Sequence, residues 1–166
     1  MMQYEIERVV QKVAAELQER GWRVATAESC TAGWIAKVLT DPAGSTAWFE
    51  RGFVSYSNES KIEMLDVSEQ TIQQHGAVSE ETVREMVTGA LARSHAEVAV
   101  AVSGIAGPSG GSDEKPVGLV WFGWQVSGQE PYYEHHILDG DRATVRGKTV
   151  LIALEGVFRA LKRASN

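Results

Sequence analysis

The sequence predicts an α/β sandwich built on a mixed sheet. Three observations carry that reading. Segments with helical apolar spacing interleave with short strand-like runs. One run, "AEVAVAVSG" (96–104), is continuously apolar, as in a strand buried on both faces. Two later strand candidates are joined by only "SGQEP", which suggests an antiparallel pair.

Taken in chain order, Ile6, Val9, Val10, Val13 and Leu17 recur at i, i+3, i+4, i+7 and i+11, an amphipathic helix that Gly21 ends. "WRVATAE" (22–28) reads as a short buried strand. After a Ser29-Cys30 corner, "AGWIAKVLT" (32–40) reads as a second helix, stopped by "DPAGS". "GFVSYS" (52–57) alternates as a strand does, and "NESKIEML" reads as a short helix capped by Ser57 or Asn58. Ser79 caps a helix expected to run to about His95, with Glu80 and Glu81 placed favourably in its first turn. A Gly/Ser/Pro loop spans 104–116 between core strands. "VGLVWFGWQV" and "YYEHHIL" supply the antiparallel pair. A last helix begins near Asp141 and buries Val150, Ala153, Leu154, Val157 and Leu161.

The totals narrow the functional classes. A chain of 166 residues without an internal repeat or linker is expected to form one domain, residues 1–166. A net charge of −6 without basic clusters argues against nucleic-acid binding, which works through phosphate contacts. The single cysteine rules out an internal disulfide and a four-thiolate zinc site, and fits a cytoplasmic protein. The N-terminal "MMQYEIERVV" is acidic and lacks the apolar core of a secretory signal. The longest apolar stretch, near "VGLVWFGW", is far short of the ~20 residues of a membrane helix. Five tryptophans could line a subunit interface of a homo-oligomer or fill the core.

The corner at Ser29 carries the chemistry. A serine just before a helix is most often a cap. It is also where a nucleophile can sit beside backbone N–H donors for an oxyanion. Such a serine needs a base. Of His75, His95, His135 and His136, none lies in a triad signature, and His135 and His136 point to opposite faces of a strand. His75, in a loop-like stretch, is the best of the four. Lys61 is the other candidate. It falls in the first turn of the helix after Ser57, where a cation opposes the helix dipole and a surface lysine gains nothing. That field and burial would both lower its pKa toward that of a base. Cys30 is the rival nucleophile, but neighbouring side chains in a turn face different ways, and a lone cysteine is usually a small buried apolar group.

Six motifs extend the reading: "AESCTAG" (27–33), "FVSYSNESK" (53–61), "GAVSEE" (76–81), "SGIAGPSGG" (103–111), "KPVG" (115–118) and "GDRATVR" (140–146). In this order they resemble the stand-alone nicotinamide-nucleotide amidases of the CinA C-terminal domain family, across nearly the whole chain. The resemblance implies a three-layer sandwich, with a mixed, mostly parallel sheet between helices on both faces. It leaves no residues for the nucleotide-processing domain of longer members. It implies hydrolysis of the carboxamide of nicotinamide mononucleotide by a serine–lysine pair, without metal or cofactor, in pyridine-nucleotide recycling. The matching positions are Ser29 and Lys61, with Tyr56 relaying a proton or orienting the pair.

For the substrate, N–H groups of Cys30, Thr31 and Gly33 are expected around the carbonyl oxygen. Ser103, Gly104 and Gly107 of the glycine loop are expected near the phosphate or ribose. Arg142 and Arg146, at i and i+4, are expected to clamp the phosphate. The alternatives are a catalytically silent nucleotide-binding domain, or a serine–lysine amidase for another amide. The family usually carries two glycines after the threonine, where this chain has Ala32 and Gly33. The extra methyl would matter only if position 32 needed a positive φ or a close ligand, and activity is expected to survive it.

Overall fold

The alternating Val/Ala pattern of "VAVAVSG" decides how the layers form, because successive side chains of a strand face opposite sides. In the computed structural model, which describes residues 1–164, Val98, Val100 and Val102 pack into one core cluster and Ala99 and Ala101 into another. The strand, β3 (Val98–Gly104), is the middle of a five-stranded sheet. Its neighbours are β1 (Val24–Glu28) and β4 (Leu119–Val126), and the edges are β2 (Phe49–Val54) and β5 (Tyr132–Ile137). The order is β2-β1-β3-β4-β5, with β2, β1 and β3 parallel. β4 runs antiparallel to both β3 and β5, so four of the five strands point the same way.

The valine face is covered by α1 (Met2–Arg20), α2 (Trp34–Thr40) and α6 (Arg142–Ala164). The alanine face is covered by α5 (Glu80–Ala92), with Leu65 of α3 (Asn58–Leu65) beside it. Small side chains on that face let α5 sit close to the sheet. This is the expected three-layer sandwich. α1 ends at Gly21 in the left-handed conformation, as its position predicts. The α6 stripe, Val150, Ala153, Leu154, Val157 and Leu161, is buried. Gly156 of α6 leaves room for the Trp124 indole, whose Nε1 donates to the Ala153 carbonyl at 2.9 Å.

Two boundaries and one helix differ most from the sequence reading. β2 is Phe49–Val54, three residues earlier than "GFVSYS" suggests. Ser55 still donates its N–H to the Glu28 carbonyl, but Ser57 leaves the sheet because its side chain caps α3, accepting from the Ser60 N–H at 3.0 Å. α5 stops at Ala92 instead of His95. A further helix, α4 (Glu69–His75), had no apolar repeat to announce it, since "EQTIQQH" carries one aliphatic residue and buries none.

The topology places the site. The chain leaves β1 toward β2 on one side and returns to β3 on the other. The carboxyl ends of β1 and β3 therefore flank a switch point, where open α/β sheets form their binding crevices. Ser29 follows β1 directly, and its N–H donates to the Val102 carbonyl of β3 at 3.1 Å.

Candidate active site

Ser29 and Lys61 meet at that crevice. β1 and β2 pair in register to Glu28 and Val54, so Ser29 and Ser55 emerge side by side. The Ser57 cap then starts α3 and turns Lys61 back toward the sheet. Lys61 Nζ lies 3.0 Å from Ser29 Oγ, 3.0 Å from the Ser55 carbonyl oxygen and 3.0 Å from the Tyr56 carbonyl oxygen. Ser29 Oγ also lies 3.4 Å from the Tyr56 carbonyl. Lys61 is 1% exposed, so it is no solvated surface lysine.

This coordination suits both forms of the amine. A neutral amine has two N–H donors for the two carbonyls and one lone pair for the serine O–H. The ammonium has three donors for the same three oxygens. Burial pushes the Lys61 pKa from 10.5 down to about 8, which brings the neutral form within reach near neutral pH. Cys30 moves the other way. It is buried at 6% exposure, and burial pushes its thiol up to about 11. The thiolate needed for attack is scarce at neutral pH, whereas the Ser29 hydroxyl of the adjacent pair is in contact with an amine.

A cleft of about 220 Å³ opens onto Ser29 and Lys61. Ser103, Gly104 and Cys30 line it, as do Ala77 and Val78 of the segment before α5. Tyr56, Asn58 and Arg142 stand at its lining as well. Among the described residues its charged lining is Lys61 and Arg142, without a carboxylate, although the chain as a whole is acidic. The sequence offered Asn58 only as an alternative cap; Ser57 takes that place, and Asn58 is the first residue of α3, three before Lys61.

The other candidate residues are distributed around this cleft. Tyr56 presents its carbonyl to Lys61, while its phenol is exposed and lies 3.4 Å from an Arg142 nitrogen. Arg142 also donates to the Gly107 carbonyl at 2.9 Å, so it bridges the glycine loop and Tyr56. Gly107 itself takes part through that carbonyl. Arg146 faces elsewhere. Its Nε donates to the Cys30 carbonyl at 2.9 Å and its Nη2 to the Thr31 carbonyl at 3.2 Å, with the guanidinium over the Trp34 ring. The two arginines thus do not form one clamp. Thr31 is fully buried, its hydroxyl donating to Glu28 at 2.6 Å, and Gly33 lies on the outer side of the loop beside Val54. His75 sits at the exposed end of α4, paired with Glu81 at 3.6 Å.

The helix after Ser29 departs from the sequence expectation in one respect. Its first-turn donors are already taken: Glu28, 1% exposed, accepts from the N–H groups of Ile35 at 2.9 Å and Ala36 at 3.0 Å. The N–H groups of Cys30, Thr31 and Gly33 make no hydrogen bond to another described residue. The unpartnered N–H groups next to Ser29 therefore lie in the loop and not at the helix end. Position 32 does have a positive φ, 48°, followed by Gly33 at 98°. The condition under which the alanine matters is met, and Ala32 carries a backbone cost that glycine would not.

The family model for the CinA C-terminal domain matches residues 6–161. The chain is 51% identical to the nicotinamide-nucleotide amidohydrolase PncC of Escherichia coli strain K12, over 96% of each chain. It is 49% identical to the protein of that name from Pseudomonas putida, covering 89% of this chain and 92% of that one. The crystal structure of the competence/damage inducible protein CihA from Agrobacterium tumefaciens superposes with a TM-score of 0.92 at 45% identity, covering 95% of this chain and 96% of that one.

Proposed function

The chain belongs to the CinA C-terminal domain family, and from that premise we propose that it is a nicotinamide-nucleotide amidase, converting nicotinamide mononucleotide and water to nicotinate mononucleotide and ammonia. The observation that carries the reading is the 3.0 Å contact between a buried lysine and a serine hydroxyl, in a cleft whose charged residues, among those described, are both basic. Relatives at about 50% identity over nearly their full lengths bear the name of this activity.

In the proposed mechanism neutral Lys61 takes the Ser29 proton as Oγ bonds to the carboxamide carbon. N–H groups of Cys30 and Thr31 hold the oxyanion that forms. The Lys61 ammonium returns the proton to the amide nitrogen, the C–N bond breaks and ammonia leaves. Water then attacks the acyl ester, giving a proton to Lys61, which hands it to Ser29 Oγ as the C–O bond breaks. Tyr56 orients the lysine through its carbonyl and frames the cleft with its ring. Arg142, with the loop of Ser103, Gly104 and Gly107, anchors the phosphate and ribose. The chemistry needs no metal or cofactor. A role in pyridine-nucleotide recycling would place the enzyme in the cytoplasm. No described helix is long and apolar enough to cross a membrane.

The test is ammonia release from nicotinamide mononucleotide in EDTA by the wild type, Ser29→Ala, Cys30→Ala and Lys61→Ala. Activity that survives only in the wild type and Cys30→Ala is the expected result. Full activity in Ser29→Ala would sink the mechanism. An inactive wild type would turn the reading to a silent nucleotide-binding domain or another amide. Equal turnover of nicotinamide riboside would remove the phosphate anchor.

A further inference from the structure

We propose that Glu28 and Arg146 are positioning residues that lock the Ser29–Gly33 loop from opposite ends and so set the orientation of its oxyanion donors. The proposal rests on the amidase reading for its kinetic test, though not for its labelling test.

The loop is an unfavourable piece of backbone. Ala32 and Gly33 are consecutive left-handed residues, with φ of 48° and 98°. Such a conformation persists only where its surroundings fix it. Two side chains do so. Glu28 takes the Thr31 hydroxyl at 2.6 Å together with the Ile35 and Ala36 N–H groups, which ties the far end of the loop to the end of β1. Arg146 holds the Cys30 and Thr31 carbonyls with one planar guanidinium.

The second contact has a direct geometric consequence. In a trans peptide the C=O and N–H point to opposite edges of one plane. Holding the Cys30 carbonyl fixes the direction of the Thr31 N–H, one of the loop donors without a partner among the described residues. Holding the Thr31 carbonyl likewise fixes the Ala32 N–H, which donates to the Ser29 carbonyl at 3.1 Å. Arg146 thus sets the two peptide planes that follow Cys30 and Thr31. Its guanidinium is committed there and lies over Trp34, outside the residues that line the cleft. Lysine cannot replace this, because one ammonium lacks the fork that spans two carbonyls. Glutamine cannot replace Glu28, because its NH₂ would confront an N–H or hydroxyl donor.

The experiment compares wild type with Arg146→Ala, Arg146→Lys and Glu28→Gln. Readouts are kcat and KM for nicotinamide mononucleotide, thermal unfolding, and the rate at which a fluorophosphonate labels Ser29, followed by mass spectrometry. The expected result is kcat lower by about 10- to 100-fold, as for a misplaced reacting group. KM should stay within about threefold, and Ser29 labelling should slow in parallel. A raised KM with unchanged kcat and labelling would overturn the proposal and return Arg146 to the substrate phosphate. Unchanged kinetics in a folded variant would overturn it as well. If Arg146→Ala fails to fold, Arg146→Lys and Glu28→Gln carry the same comparison. A wild type that is labelled at Ser29 but releases no ammonia would defeat the amidase reading alone, leaving the labelling rates to decide the positioning.

Discussion

Lys61 Nζ lies 3.0 Å from Ser29 Oγ although 32 positions separate the two in sequence. The contact exists because β1 and β2 are parallel neighbours and a capped helix follows β2. With its amine held by two backbone carbonyls, Lys61 has only the serine left to serve. The pH dependence follows directly. With the Lys61 pKa lowered to about 8 by burial, kcat/KM should rise tenfold per pH unit below that value and level off above it. At pH 7 only about one lysine in ten would be neutral. A profile that is flat from pH 6 to 9 would remove Lys61 as the base.

Cys30 should be dispensable for turnover. Its thiol is buried and pushed up to about 11, so iodoacetamide at pH 7.5 should modify it slowly in the folded protein and quickly in urea. Cys30→Ala should keep activity within about threefold while losing roughly 1 kcal/mol of stability from the small void. Rapid inactivation by alkylation of the folded enzyme would contradict the assignment of Ser29.

Much of this site was legible in the sequence, and the remainder had physical reasons for being hidden. Ser29 and Lys61 were visible because each sits oddly for its local element, a small polar corner and a cation at a helix start. Glu28 stood in plain view within "AESCTAG", yet nothing in a linear string says that a carboxylate ending a strand turns back to cap the next helix. Arg146 misled for a similar reason. Spacing at i and i+4 places two arginines on one side of a helix, but their partners come from different loops. Among the elements, strongly periodic α1 and α6 and the doubly buried β3 were read well. The edge strand β2 and the solvent-facing α4 were misplaced or missed, because neither buries enough to impose a pattern.

Ala32→Gly should stabilise the protein. An L-residue in the left-handed region costs about 1–2 kcal/mol, part of which glycine forfeits through its freer unfolded chain. The net gain should be about 0.5–1 kcal/mol, a rise of roughly 2 °C in Tm for a chain of this size. Activity should be retained, since the loop keeps its conformation. A lower Tm would show that the methyl makes contacts that outweigh the strain, and calorimetry of the two proteins decides it.

Lys61 should set itself apart from the other titrating groups in the pH dependence of stability. Its pKa in the folded protein, about 8, lies below its ordinary value of 10.5. Below pH 8 the folded and unfolded states both carry the charge, and the native state bears the cost of burying it. Between about pH 8 and 10.5 the native lysine is neutral while the unfolded one still holds its proton. The unfolded state then binds more protons, so stability must rise with pH across that window, by up to about 1.4 kcal/mol per pH unit from this group. Lys61→Met has no such group. The difference in unfolding free energy between wild type and Lys61→Met, measured by urea denaturation at pH 7, 8, 9 and 10, should therefore shift steadily in favour of the wild type as pH increases. Tyrosines and other lysines titrate in both proteins and cancel in the difference. A difference that stays constant over this range would mean that Lys61 titrates in the folded protein as it does in the unfolded chain, and burial would then not be what prepares it to act as a base.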